Sequence, residues 1–110
     1  MSFEVRQQDG VAVVGLTGDV DLQTSPTVRQ KLLECLDKHP KLVVDMSNVA
    51  YIDSSGVASL VEAFQVSRKK GSDFSLAAVS PAAMRVLSLA RLDKVFNIHA
   101  DVNSAVAAKG

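Results

Sequence analysis

The chain has 110 residues, 47% of them hydrophobic and 22% charged, enough for one globular domain over 1–110 with a two-layer core and too few for two. Twelve basic and twelve acidic residues cancel without a basic stripe, so nucleic acid is not expected as a direct partner. No apolar run nears the ~20 residues that span a bilayer, and Met1-Ser2-Phe3-Glu4-Val5-Arg6 lacks a signal-peptide pattern, so no membrane insertion and a cytoplasmic location are expected.

Phe3 to Gln8 alternates as a strand should, and Asp9-Gly10 is a hairpin turn signal. Val11 to Leu16, nearly all apolar, predicts a buried second strand that closes an antiparallel hairpin. Thr17 to Leu22 reads as a loop. Thr24 or Ser25 can cap a helix whose first turn suits Pro26, with Val28, Leu32, Cys35 and Leu36 on one face. The lone Cys35 then reads as a small buried hydrophobe, and no internal disulfide is available. His39-Pro40 ends that helix.

Leu42 to Met46 is a short apolar strand, and Ser47 to Tyr51 reads as its connection to the next helix. Val57, Leu60, Val61 and Phe64 recur at steps of three and four, which marks an amphipathic helix. Arg68, Lys69 and Lys70 complement the dipole of its last turn, and Gly71 stops it. Its opposite face, with Ala58, Ser59, Glu62 and Gln65, is left for a partner. Phe74 to Val79 predicts a strand, Ser80-Pro81 opens a third helix, and Val95 to Ile98 predicts a last short strand. Asp101 caps a weak final helix through Val102, Ala105 and Val106, and Ala107 to Gly110 is expected to fray. The order β-β-α-β-α-β-α-β-α implies an α/β fold: a mixed, mostly parallel sheet with an antiparallel N-terminal hairpin and about four helices.

The informative stretch is Ile52-Asp53-Ser54-Ser55-Gly56-Val57, where an apolar strand gives way to a helix. A serine there has an exposed hydroxyl, a neighbouring carboxylate and unpaired backbone N–H groups. Taken alone, Asp53 or Ser54 is an ordinary N-cap and Gly56 a close-packing residue. The loop from Gly18 to Leu22 is expected at the same end of the sheet, which brings Asp19 and Asp21 near Ser54. A phosphate there, adding about −1.5 to −2 charges, would change the site sharply. Ser54 and Ser55 are both in reach of such a modification.

Catalysis is not expected. No Gly-x-Ser-x-Gly elbow is present, and His39 and His99 fall away from the motif as surface residues. One cysteine and two scattered histidines supply no metal site. No Gly-x-x-x-x-Gly-Lys loop is present, and no cofactor is expected. A nucleotide or small ligand held at the helix N-terminus is a weaker alternative.

Gly18-Asp19-Val20-Asp21, Val43-Val44-Asp45-Met46-Ser47 and above all Ile52 to Val57 resemble the STAS domain family, named for sulfate transporters and anti-sigma factor antagonists. The resemblance covers nearly the whole chain, and the length is that of the stand-alone bacterial antagonists. It implies that Ser54 is phosphorylated by an anti-sigma factor with an ATP-binding kinase fold, and that a PP2C-type phosphatase reverses this. The unphosphorylated form would bind the anti-sigma factor and free the sigma factor. Asp21, Asp53, Ser55 and Gly56 would shape the docking surface. Asp19, Ala58 and Ser59 are further candidates for it. Many members carry Leu-Gly after the motif glycine; this chain has Val57-Ala58, one methyl more on the helix. The alternative the resemblance allows is a constitutive accessory subunit on the cytoplasmic ATPase of an ABC lipid transporter.

Overall fold

The structure is a computed structural model and describes residues 1–109. Strands β1 (Ser2–Gln8) and β2 (Val11–Val20) form the antiparallel hairpin, with Gln8 opposite Val11. Asp9 and Gly10 both take positive φ, 53° and 80°, as a two-residue hairpin loop of right-handed twist requires. Helix α1 (Ser25–Lys38) follows, then β3 (Lys41–Ile52), α2 (Ser54–Lys70), β4 (Asp73–Ala77), α3 (Pro81–Leu89), β5 (Ile98–His99) and α4 (Val102–Lys109).

The sheet order is β1-β2-β3-β4-β5, antiparallel at the first pair and parallel at the other three. The expected mixed sheet with four helices is therefore present. The alternation of side chains across each strand builds two cores. Ala12, Val14 and Leu16 of β2, Leu42, Val44 and Met46 of β3, and Phe74 and Leu76 of β4 face α1, α2 and α3. Val11, Val13, Val43 and Ala77 face the other way, against Ala105 and Val106 of α4. Phe64, Phe74 and Phe96 pack edge-on and tilted in the larger core, with centroids 5.4–6.3 Å apart.

Four boundaries differ from the sequence reading. Thr17 to Val20, expected as loop, continues β2, and Ser47 to Ile52, expected mostly as connection, continues β3. The two extensions pair with each other, Thr17 with Asn48 and Val20 with Ile52, after register shifts between Gly15 and Thr17 and between Gly18 and Asp19. The shifts re-aim the side chains without ending the pairing. Strand β4 stops at Ala77, because Ala78 turns to φ 52° ahead of the α3 cap. The last strand is Ile98–His99 rather than Val95 to Ile98, since Phe96 is drawn into the core while Val95 stays half exposed.

Candidate functional site

The extended β2–β3 pair carries the motif. Strand β4 pairs with β3 only as far as Asp45, so the stretch from Met46 to Ile52 runs on with β2 on one flank. Its other flank is tied by Ser80, whose hydroxyl donates to the Val49 carbonyl at 2.7 Å and whose N–H donates to the Met46 carbonyl. The two strands end side by side at Val20 and Ile52, and the Asp53 N–H donates to the Val20 carbonyl at 3.2 Å. The loop carrying Asp21 and the start of α2 are thereby neighbours, as the sequence suggests.

Asp53 is the N-cap of α2. Its carboxylate accepts from the N–H groups of Ser55 at 2.9 Å and Gly56 at 3.1 Å. This satisfies two of the helix's free donors. Ser54 is the first helical residue and is exposed. The positive end of the helix dipole favours an anion at that point, and the nearby acids oppose it.

Gly56 is buried and fixes how closely α2 approaches the strands. A Cβ there would stand 2.5 Å from the Val20 carbonyl oxygen and 2.7 Å from Ile52 Cγ1, so no other residue fits this backbone. Its role is to set the position of Ser54; it offers no side chain to a partner.

The loop before α1 has its own lock. Asp21 accepts from the N–H groups of Gln23 and Thr24 and from the Thr24 hydroxyl. The Thr24 N–H, above all, holds the Asp21 carboxyl below the usual carboxylate range. The Thr24 hydroxyl also accepts from the Asp21 N–H at 2.9 Å. Thr24 occupies the N-cap position of α1 without making the side-chain cap bond expected of it, because its hydroxyl faces back into this loop. Ser25, the alternative cap, lies inside the helix and is buried.

Ser59 is a correction. It was expected on the open face of α2, yet it is buried between α1 and α2. Its hydroxyl donates to the Ser25 carbonyl at 3.1 Å and back-bonds to the Ser55 carbonyl at 3.2 Å. A small hydroxyl lets the two helices meet closely and still finds partners. Glu62 on the same side pairs with Arg29 of α1. Of the face assigned to a partner, Ala58 and Gln65 are exposed.

The surface around Ser54 therefore consists of exposed Asp19, half-buried Asp21, Asp53 and Ser55, and exposed Ala58. Two residues that sequence reasoning passed over join them. Leu22 is 73% exposed, and Tyr51, the Cα partner of Asp19, is 52% exposed. A leucine in a polar loop and the chain's single tyrosine beside the motif were the available signals. Tyrosine is among the residue types enriched where protein interfaces concentrate their binding energy. His39 caps the far end of α1 and His99 lies on β5, so neither joins the site. Among the described residues no group of three His, Cys, Asp or Glu could hold a metal, and no helix is long and apolar enough to cross a membrane.

The profile of the STAS domain matches residues 2–105. The chain belongs to the STAS domain family. An anti-sigma factor antagonist from Mycobacterium paratuberculosis, known by crystal structure, is 32% identical with a TM-score of 0.85, the alignment covering 97% of this chain and 92% of that one. The anti-sigma-F factor antagonist RsfB of Mycobacterium tuberculosis is 30% identical over 109 residues, 96% of this chain and 87% of that protein. The Bacillus cell fate determinant SpoIIAA, solved in its phosphorylated form, shares the fold at 17% identity and TM-score 0.76, covering 99% and 100% of the two chains. This STAS chain thus resembles anti-sigma factor antagonists along almost its whole length.

Proposed function

We propose that this protein is a phosphorylation-controlled binding protein, not an enzyme, that acts in the cytoplasm on an anti-sigma factor. The unphosphorylated form docks through the surface around Ser54 and frees the sigma factor. A kinase-fold anti-sigma factor places phosphate on Ser54 and so ends the interaction, and a PP2C-type phosphatase restores it. The observation that carries the reading is the placement of Ser54: exposed, first in α2, with the Asp53 carboxylate committed to capping Ser55 and Gly56. The names of the 30% and 32% identical relatives support the partner class.

Asp19, Asp21, Asp53, Ser55 and Ala58 form the polar contact area, with Tyr51 and Leu22 as its apolar anchors. Gly56 and Ser59 act from within, by setting the helix positions. A phosphate brings bulk and charge into the middle of this surface. An unpaired charge buried in an interface costs several kcal/mol. A loss of only ~3 kcal/mol weakens binding more than a hundredfold.

The test is calorimetric binding to the kinase-type anti-sigma factor of the same cell, with mass spectrometry after incubation with ATP. The expected result is phosphate on Ser54, tight binding by the parent and Ser54→Ala, and binding weakened at least about a hundredfold in Ser54→Asp. Equal binding by Ser54→Ala and Ser54→Asp, or phosphate mapped elsewhere, overturns the proposal.

A further inference from the structure

The two edges of the sheet are unequal. Strand β5 is two residues long, and so short an edge offers little to pair with. Strand β1 runs for seven, pairs with β2 without a register shift, and stands last in the sheet order. It carries no Pro or Lys, the residues that commonly blunt such an edge. The two-residue loop at Asp9-Gly10 makes Gln8 and Val11 the pair that exchanges both ladder bonds. By alternation Ser2, Glu4, Arg6 and Gln8 turn their backbone groups to β2, and Phe3, Val5 and Gln7 turn theirs outward.

This outward row is complementary to itself. When two antiparallel copies of β1 meet with Val5 opposite Val5, Phe3 faces Gln7 and Glu4 faces Arg6 of the other copy. The Val5 pair and both Phe3–Gln7 pairs then exchange backbone hydrogen bonds. Glu4 and Arg6 fall at the positions between, where opposed side chains approach most closely. They are the only charges in the strand, one of each sign. Within one chain they stand 3.8 Å apart, so the twofold axis gathers four alternating charges. The adjacent registers place Glu4 opposite Glu4, or Arg6 opposite Arg6, and like charges there are destabilising. Charge thus selects the Val5-centred register. On the other face of the strand Val5 is 44% exposed. Helix α1 does not cover it: a cavity of about 170 Å³ lies between Val5 and Lys31, Glu34 and Lys38.

We infer that the β1 edge is a docking surface for a second copy of this chain, paired antiparallel about Val5 with Glu4 and Arg6 joined across the axis. The two sheets then run on as one. Ser54 follows β3, which β2 separates from this seam, so the dimer leaves its hydroxyl open. The inference does not depend on the function proposed for the Ser54 surface.

The test is sedimentation equilibrium of the full chain, with amide hydrogen exchange followed by NMR. The expected result is a monomer–dimer equilibrium with its midpoint between about 10 μM and 1 mM. Arg6→Glu and Glu4→Arg each turn two attractive cross-strand pairs into repulsive ones, and each should weaken the dimer about tenfold or more. The double variant carrying both substitutions restores opposite charges across the axis and should dimerise like the parent. In the dimer the Phe3, Val5 and Gln7 amides should exchange about tenfold more slowly than in Arg6→Glu at the same concentration. A parent that stays monomeric at about 1 mM, leaving the edge to a strand of some other protein, overturns the inference. So does a dimer that both single variants keep, a double variant as weak as the single ones, or Phe3, Val5 and Gln7 amides left unprotected in the dimer.

Discussion

Gly56→Ala tests how the site is held together. Ordinary van der Waals contact begins near 3.4 Å, and the new Cβ would meet the Val20 carbonyl oxygen at 2.5 Å, so α2 must lift by about 0.9 Å. The obstacle is backbone, flanked by Ile52 Cγ1 at 2.7 Å and Val20 Cγ1 at 2.8 Å, so no flexible side-chain end can yield instead. Overpacking of this kind costs about 1–3 kcal/mol. The lift also stretches the 3.2 Å bond from Asp53 N–H to the Val20 carbonyl, a loss of about 1 kcal/mol. Alanine returns up to about 1 kcal/mol through its helix propensity. The net destabilisation is about 2 kcal/mol, or roughly 9 °C in the melting temperature of a domain this size. Circular dichroism melts and urea titrations measure it. Gly71→Ala is the control in the same helix: its φ is +69° and no atom lies within 4 Å of a new Cβ. Its cost is backbone strain alone, about 1 kcal/mol. A Gly56→Ala protein as stable as the parent, or more stable than Gly71→Ala, would refute the packing argument.

Two further predictions concern titratable groups. The Asp21 carboxyl is held low by the Thr24 N–H, so its contribution to stability is present above the unfolded carboxylate range and is lost as pH falls through the lower folded value. Asp21→Asn should therefore flatten the acid limb of the stability curve; urea midpoints from neutral pH down to about pH 2 report it, and an unchanged limb counts against the loop lock. Burial pushes the Cys35 thiol up. Its reaction with a disulfide reagent near pH 8 should run orders of magnitude slower in the native protein than in urea, and equal rates would contradict its burial.

Helix α2 was legible in the sequence because its apolar steps and its caps agree. Asp53 at the start and Gly71 at the end both act as their residue types suggest. The extension of β2 and β3 was not legible. Gly18-Asp19 and Ser47-Asn48 look like loop composition, and only their pairing with each other, a long-range contact across α1, makes them strands. Ser59 misled for a related reason: a helix surface position and a helix–helix contact call for the same small polar residue, and the difference lies in α1. In the segment ending at Ile98, the apolar run read as a strand instead delivers Phe96 to the aromatic cluster with Phe64 and Phe74. The motif's neighbourhood was readable from topology, whereas Leu22 and Tyr51 emerged only from their exposure.

The tie from Ser80 to Val49 has an evolutionary consequence. The end of the sheet that it braces, together with the start of α2, has a buried inner row that must stay fixed and an exposed outer row that is free to change. Val20, Ile52 and Gly56 belong to the first row, and Asp19, Leu22, Tyr51 and Ala58 to the second. Drift in the outer row can redirect which partner is recognised at little cost to folding. Under the proposed function, a duplicated copy of this chain could thus acquire a separate signalling channel by a few surface substitutions, insulated from its parent while keeping the same placement of Ser54.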